Sequence, residues 1–405
     1  MLAIDYKNFD RSNTEYSKFF SLAKSAQAEI LSGIGKLPEY DILFIENAEN
    51  QIKSAQKLVA QIRNNYSDVI IVGMGGAILN PQLLIQLAQR SNQEVNVHYL
   101  HNTDPYYFGK LIASLDLINT AVIGISNSGN TIETISLIGA LTECFKKKNI
   151  NDFDQRFYFI TNPENGNLSR IGRRLSANII PHTAKISGRF SSITNVTTFA
   201  AAVAGVNVRE FLEGSQAVLE EFHAKDNSIL DYAAMLAASG KSMEVNLAYL
   251  QEFTTFLEWK SQIIAESLGK DGKGLTPIRG LGPNDQHSML QLYLEGPKDK
   301  FYNLYYIKNM PVEHSIENLA ELGMVSGKDL ATINTANFIA TKTAIINAKL
   351  PIRTTMLSDL SPRTIGMLVM KSILEVIVLC KMFEVNPFNQ PGVESIKSAL
   401  VEELE

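Results

Sequence analysis

Glu266 is the residue in this chain best placed to move a proton. It lies in Glu258–Lys273, EWKSQIIAESLGKDGK, where Trp259, Ile263 and Ile264 recur at helical spacing and predict an amphipathic helix from about Thr254 to Leu268. Gly269 marks the end of that helix, so Glu266 falls in its last turn, where the helix dipole disfavours a carboxylate. A carboxylate in that position is a candidate general base. The plain alternative is a solvated side chain whose placement costs a few tenths of a kcal/mol. Lys270, Asp271, Gly272 and Lys273 follow directly.

Three further stretches carry groups that hold anions or exchange protons. Ser126-Asn127-Ser128-Gly129-Asn130-Thr131 gathers hydroxyls, amides and backbone N–H groups where a strand gives way to a helix start near Thr131, the usual composition of a phosphate-binding turn. The same residue types also make an ordinary capped turn. Gly73-Met74-Gly75-Gly76-Ala77 follows another strand and precedes a helix expected near Pro81. Its third glycine would fall at Ile78, so the dinucleotide-binding spacing fails, leaving close approach to a ligand or a simple tight turn. Gly282–His287 places an imidazole at a helix start, although a single histidine is commonly structural. Arg189, in SGRFS, and Lys397, in FNQPGVESIK, read alone as surface cations. The other histidines, His98, His101, His182, His223 and His314, show no ligand spacing with cysteine or carboxylate, so no metal site is expected.

The elements that must position these groups alternate along the chain. Short β-branched runs at Val69–Val72, Val95–Leu100, Thr120–Ile125, Phe157–Ile160 and Asn178–Ile180 are separated by helical stretches, the pattern of a parallel sheet covered on both faces. A second series follows at Val245–Leu250, Leu275–Ile278, Leu304–Ile307 and Ile352–Met356. The expected organisation is N-terminal helices over 1–62, a first α/β sandwich over 63–192, a helical connection over 193–239, and a second sandwich with C-terminal helices over 240–405. With 405 residues, 45% hydrophobic, and a formal charge of -5, a soluble globular chain is expected, without nucleic acid or an anionic membrane as partner. Asp5 and Asp10 interrupt any signal-peptide core, and Lys371 and Glu375 interrupt the apolar run Ile365–Cys380, which reads as a buried helix. Cys144 and Cys380 read as core thiols of a reducing, cytoplasmic compartment.

Taken in order, SNSGNTIET (126–134), NPENGNLSRIGRRL (162–175), SGRFSSIT (187–194), AESLGKDGKGLTP (265–277), DQHSMLQLYLEGPKDKF (285–301) and FNQPGVESIK (388–397) resemble the glucose-6-phosphate isomerase family in its shorter bacterial form. The resemblance implies two sugar-isomerase (SIS) α/β/α domains with parallel sheets, joined and flanked by helices. It implies a sugar phosphate as substrate, aldose–ketose isomerisation in glycolysis and gluconeogenesis, and no cofactor. By motif, Glu266 is the base that carries a proton between C2 and C1. Arg189 stabilises the enediolate, Lys397 and His287 assist ring opening, and Gln390 holds phosphate beside Ser126, Ser128 and Thr131, with Gly75 and Gly76 lining the substrate. In this family the histidine comes from the neighbouring subunit, so a homodimer is implied. The chemistry agrees: without a metal cluster, proton transfer through a cis-enediol needs one carboxylate base and one cation near the developing oxyanion.

The chain departs from the family in its phosphate-binding half. Asn127 replaces the usual Lys of S-K-S-G-T-T, Asn130 replaces a Thr, and Ala77-Ile78-Leu79-Asn80 stands where S-x-x-G is usual. One positive charge and two hydroxyls are lost, although Asn130 retains an amide donor. A charge-assisted hydrogen bond contributes about 1.5–3 kcal/mol, so phosphate binding is expected to weaken by about one or two powers of ten. Lys185 and Lys270 are candidate replacement cations. The altered loop also admits a non-catalytic SIS-type sugar-phosphate-binding protein, or an isomerase of a related sugar phosphate such as mannose 6-phosphate.

Overall fold

A computed structural model describes residues 1–88, 95–182, 186–310, 312 and 314–404, the side chains of 394, 395, 397, 398 and 401 excepted. The chain forms two compact units, one of residues 33–219 and 360–369, the other of residues 1–32, 220–359 and 370–405. The strands are β1 (Leu2–Lys7), β2 (Asp68–Val72), β3 (Asn96–Leu100), β4 (Thr120–Ser126), β5 (Phe157–Thr161), β6 (Asn178–Pro181), β7 (Met243–Ala248), β8 (Thr276–Leu281), β9 (Lys300–Ile307) and β10 (Ile352–Leu357). Every extended run expected from sequence is a strand.

The first of these units holds a sheet in the order β3-β2-β4-β5-β6, parallel throughout. All seven residues of β4 and all five of β5 are buried, as continuous apolar strands must be when helices cover both faces. Ile70, Val122, Phe157 and Phe159 pack with Leu141 and Phe145 of the Ile132–Lys147 helix. Phe145 meets Phe157 edge to face with ring centroids 5.5 Å apart. Each side chain so buried contributes about 1.5–3 kcal/mol.

The other unit holds the order β1-β10-β9-β7-β8, parallel except for β1, which runs antiparallel against β10 from Leu2↔Leu357 to Lys7↔Ile352. Strand β1 was not expected, because LAIDYK is short and half polar, and half of an edge strand's backbone has no partner to signal it. Residues 1–32 belong to this unit and the Ile45–Asn65 helix to the other, so the division of the structure departs from the linear boundaries expected at 62 and 240. Alternation along β7, β9 and β10 sorts the sheet into two unlike faces. Val245, Leu247, Tyr302, Leu304, Tyr306 and Ile352 form an apolar core, where Tyr306 stacks on Phe338 at 4.3 Å. The opposite face carries Glu244, Asn246, Asn303, Tyr305 and Arg353, all buried. No helix among the described residues is long and apolar enough to cross a membrane.

Candidate functional site

In the first unit the chain leaves β2 for β3 on one side and returns to β4 on the other, so the loops after β2 and β4 flank a topological switch point, the usual ligand-binding crevice of such sheets. The loop after β4 holds Ser126, Ser128 and Thr131. Ser126 Oγ lies 3.0 Å from Thr131 Oγ1 and accepts the Gly129 N–H at 3.2 Å, while Ser128 Oγ accepts the Asn130 N–H at 3.2 Å. Thr131 is the N-cap residue of the Ile132–Lys147 helix, whose first N–H groups have no acceptor within the helix, an arrangement suited to an anion. Gly129 has φ +66° and Gly166 φ +96°, and a Cβ on Gly166 would stand 2.4 Å from the Ser128 carbonyl oxygen. The glycine pair therefore brings the turn after β5 directly against the loop.

The two asparagines that distinguish this loop are both engaged. Asn127 Nδ2 donates to the Ile186 carbonyl at 3.2 Å. Asn130 Oδ1 accepts the Asn167 N–H at 3.0 Å, at the start of the Asn167–Leu175 helix. Their side chains bind protein backbone on the flanks of the loop, in places where the family pattern has groups for the anion.

The loop after β2 positions Arg189. Gly75 takes φ 53° at the head of the Gly76–Leu87 helix, which begins five residues before the expected start at Pro81. Pro81 sits inside this helix, where the lack of an N–H suggested a boundary. Gly76 is required by close approach: a Cβ there would lie 2.2 Å from the carbonyl carbon and oxygen of Gly188 and 2.5 Å from the Arg189 nitrogen. Asn80 reinforces the contact. Its amide donates to the Gly188 carbonyl at 2.9 Å and to Ser191 Oγ at 3.2 Å, and its carbonyl accepts from the Ser192 hydroxyl. Arg189 itself is 1% exposed, with its guanidinium 5.5 Å from the Phe190 ring centroid. Asn80 was missed as a site residue by sequence reasoning; what sets it apart from Gln82 and Gln86 of the same helix is complete burial, which the sequence does not show.

In the other unit Glu266 lies in the last turn of the Phe253–Leu268 helix, as expected. Gln262, one turn earlier, donates its amide to Glu266 Oε2 at 3.0 Å and fixes the carboxylate's direction. The following turn is tied to the segment before Gln390: Lys270 Nζ donates to the Asn386 carbonyl, and Lys273 Nζ to the Phe383 carbonyl at 2.8 Å. The ammonium of Lys270 therefore binds backbone in this unit. Lys185 lies outside the described residues. Lys397 sits on the Glu394–Leu404 helix that follows Gln390, and its side chain lies outside the described groups.

His287 is exposed in the first turn of the Asn284–Glu295 helix. The Glu266 helix connects the end of β7 to the start of β8, so Glu266 stands at the edge where β8 begins. His287 follows the end of β8 at Leu281. Six residues of strand separate those edges, a rise of about 20 Å. Within this unit the structure joins the Glu266 and Gln390 segments and keeps His287 away from both. The remaining histidines have other settings where described; His98 Nε2 pairs with Asp68 at 2.8 Å beside β2.

A parallel sheet with a hydroxyl-lined loop at its switch point, followed by a second sheet of like order, defines an α/β protein of two SIS-type domains. The chain belongs to the phosphoglucose isomerase family, whose model matches residues 45–404. Among curated relatives, the glucose-6-phosphate isomerase of Rubrobacter xylanophilus is 30% identical over 377 residues, covering 87% of this chain and 86% of that one. That of Methanocaldococcus jannaschii is 28% identical over 410 residues, covering 98% of each. A hypothetical protein of Thermus thermophilus superposes with a TM-score of 0.89 at 26% identity over the whole of both chains. A Chlamydia trachomatis glucose-6-phosphate isomerase shares the fold, with a TM-score of 0.83 at 18% identity, covering all of this chain and 88% of that one.

Proposed function

We propose that this protein interconverts glucose 6-phosphate and fructose 6-phosphate by ring opening and proton transfer through a cis-enediol, as a cytoplasmic enzyme of glycolysis and gluconeogenesis. The observation that carries the reading is the family match over residues 45–404, which spans every group the chemistry requires. Glu266 takes the proton from C2 of the open aldose, the electrons of that C–H bond form the C1–C2 double bond, and the C1 carbonyl oxygen takes up a proton that is balanced by the one the C2 hydroxyl gives up in the second half of the reaction. Glu266 then returns its proton to C1 as the C2 oxygen becomes the ketone. Arg189 is the cation beside the oxygen that gains charge, a role in which a pre-placed, water-excluded guanidinium is most effective. Lys397 and His287 transfer the protons of ring opening, while Ser126, Ser128, Thr131, Gln390 and the backbone at Gly75 and Gly76 bind the phosphate end and substrate.

The functional unit in this reading is a homodimer, with His287 supplied to the partner's Glu266. The position of His287 at the far edge of its own sheet supports that exchange. Engagement of Asn127 and Asn130 with backbone supports weaker phosphate binding, and with it a range of sugars wider than glucose 6-phosphate. The test is purified protein with fructose 6-phosphate, coupled to oxidation of glucose 6-phosphate. A fall in turnover of about 10²–10⁴-fold in Glu266→Gln is expected; binding of fructose 6-phosphate with no turnover in the native protein identifies a ligand-binding SIS protein instead. A panel including mannose 6-phosphate sets the substrate range.

A further inference from the structure

The Glu266 helix carries a second charged residue with no place in the proton-transfer scheme. Lys260 is the one charged side chain among the ten buried residues of that helix, and it is 1% exposed. Its ammonium lies 3.8 Å from Glu244 Oε1 on β7 and 3.6 Å from Glu375 Oε2 on the Pro362–Met382 helix, with both carboxylates also buried. Glu375 Oε1 in turn accepts from Arg353 Nη1 on β10 at 2.6 Å. Arg353 donates through Nε to Asn303 on β9 at 2.7 Å and stacks over the Tyr232 ring at 3.6 Å from its centroid. Asn303 donates to Glu244, and Tyr305 donates to Asn246 at 3.2 Å, which closes a network across β7, β9 and β10. Lys371, also on the Pro362–Met382 helix, adds a third buried cation and donates to Ser228 Oγ.

Such a network is a poor device for stability. Well-packed apolar residues of similar volume serve as well or better, whereas removal of one partner leaves an uncompensated buried charge. Its geometry is better suited to fixing register. The two carboxylates beside Lys260 belong to a strand and to another helix, so a rotation or slide of the Glu266 helix draws the ammonium away from one of them. Burial acts to lower the pKa of Lys260, but facing Tyr305, Glu244 and Glu375 it is held above the ordinary lysine value and stays charged. Glu266 is six residues further along the same rigid helix, about 9 Å down its axis and about 120° around it. A displacement at Lys260 is therefore carried to the Glu266 carboxylate.

We infer that Lys260, held between Glu244 and Glu375, is a positioning residue that sets the catalytic register of the Glu266 helix. The inference rests on the reading of Glu266 as base. Proton abstraction is sensitive to misplacement of about 1 Å, which costs on the order of 10²-fold in rate.

The test is steady-state kinetics of Lys260→Met, alone and combined with Glu266→Gln, on fructose 6-phosphate. Lys260→Met is expected to lower kcat by about tenfold or more with KM within about twofold, and Lys260→Arg, which keeps the charge, to recover most of the loss. In the Glu266→Gln background the same substitution is expected to leave residual turnover within about twofold, since the group it positions is gone. Equal losses in both backgrounds, or a folded Lys260→Met with kcat within about twofold of the native value, overturn the inference. Should Lys260→Met fail to fold, Glu244→Gln answers the same question: it keeps an acceptor for Asn303 and removes one of the two charges that locate Lys260. A kcat loss confined to the Glu266 background supports the register role, and its absence refutes it. Normal turnover by Glu266→Gln alone would instead remove the base assignment, an outcome separate from either.

Discussion

Glu266 and His287 stand at opposite edges of one five-stranded sheet, separated by the whole length of β8. If the imidazole serves the partner's carboxylate, two inactive variants must complement. Mixed dimers of Glu266→Gln and His287→Ala chains contain one site with both defects and one with neither. Random mixing of equal amounts after dissociation is therefore expected to restore about a quarter of native turnover, because half the dimers are mixed and half their sites intact. No recovery on mixing, with dimers verified by light scattering, would place His287 in its own chain's chemistry or outside it.

Substitution of Glu266 by glutamine keeps the shape and the contact with Gln262 but removes the carboxylate proposed as base. Turnover is expected to fall by about 10²–10⁴-fold, with fructose 6-phosphate still bound. Calorimetric titration beside the coupled assay separates the two effects. A variant with near-native turnover excludes Glu266 from proton transfer.

Asn127 offers a direct way to restore the missing cation. Asn127→Lys is expected to lower KM for fructose 6-phosphate by about tenfold, with kcat little changed, since a charge-assisted bond contributes about 1.5–3 kcal/mol. An unchanged KM would mean that phosphate is already met by another cation. Loss of the bond to Ile186 adds a stability cost of about 1 kcal/mol, read as a lower Tm.

The contact of Gly76 with Gly188 leaves no space for a methyl group. Gly76→Ala is expected to destabilise the protein by about 1–3 kcal/mol in urea unfolding and to lower kcat by displacing the Arg189 backbone. Asn80→Ala tests the same junction from the other side: the Ser192 hydroxyl loses its acceptor and the Gly188 carbonyl keeps only Ser191 Oγ, at about 1–3 kcal/mol. Native stability in both variants would show that the junction can relax.

Acid stability follows from Glu375. Burial pushes its carboxyl up, but Arg353, Lys260 and Lys371 facing it more than reverse that and hold it below the ordinary value of 4.5. A carboxyl whose pKa is lower folded than unfolded contributes stability that is fully present above the unfolded value and lost as pH falls through the folded one. Unfolding free energy is thus expected to decline below about pH 4.5, and Glu375→Gln to flatten that decline while lowering stability at neutral pH. An identical acid limb in the variant would assign the loss to other carboxylates.

The sequence made the sheets legible because the strands of the first are apolar on both faces, those of the second on one, and all are bounded by helical periodicity, and the Phe253–Leu268 helix because Trp259, Ile263 and Ile264 share one stripe. It also drew attention to Glu266, Ser126 and Thr131, whose local settings carry their own signal at a helix end or start. Strand β1 was hidden, since its evidence is its pairing with β10, about 350 residues away. The junction at Gly76 was likewise invisible as a contact, because a glycine turn reads the same whether it faces solvent, ligand or the backbone of Gly188. Pro81 misplaced a helix start, as proline marks boundaries statistically and Gly75 set this one. The buried pairing of Lys260 with Glu375 needed three dimensions, because charged residues 115 positions apart carry no common period.

Trp259, the sole tryptophan of the chain and wholly buried, directly precedes Lys260 on the helix whose last turn carries Glu266. Indole emission in this protein is consequently a one-site optical signal from that helix, with no label to introduce and no background from other indoles. A change in its wavelength or lifetime on adding sugar phosphate would report movement of the helix that carries the proposed base.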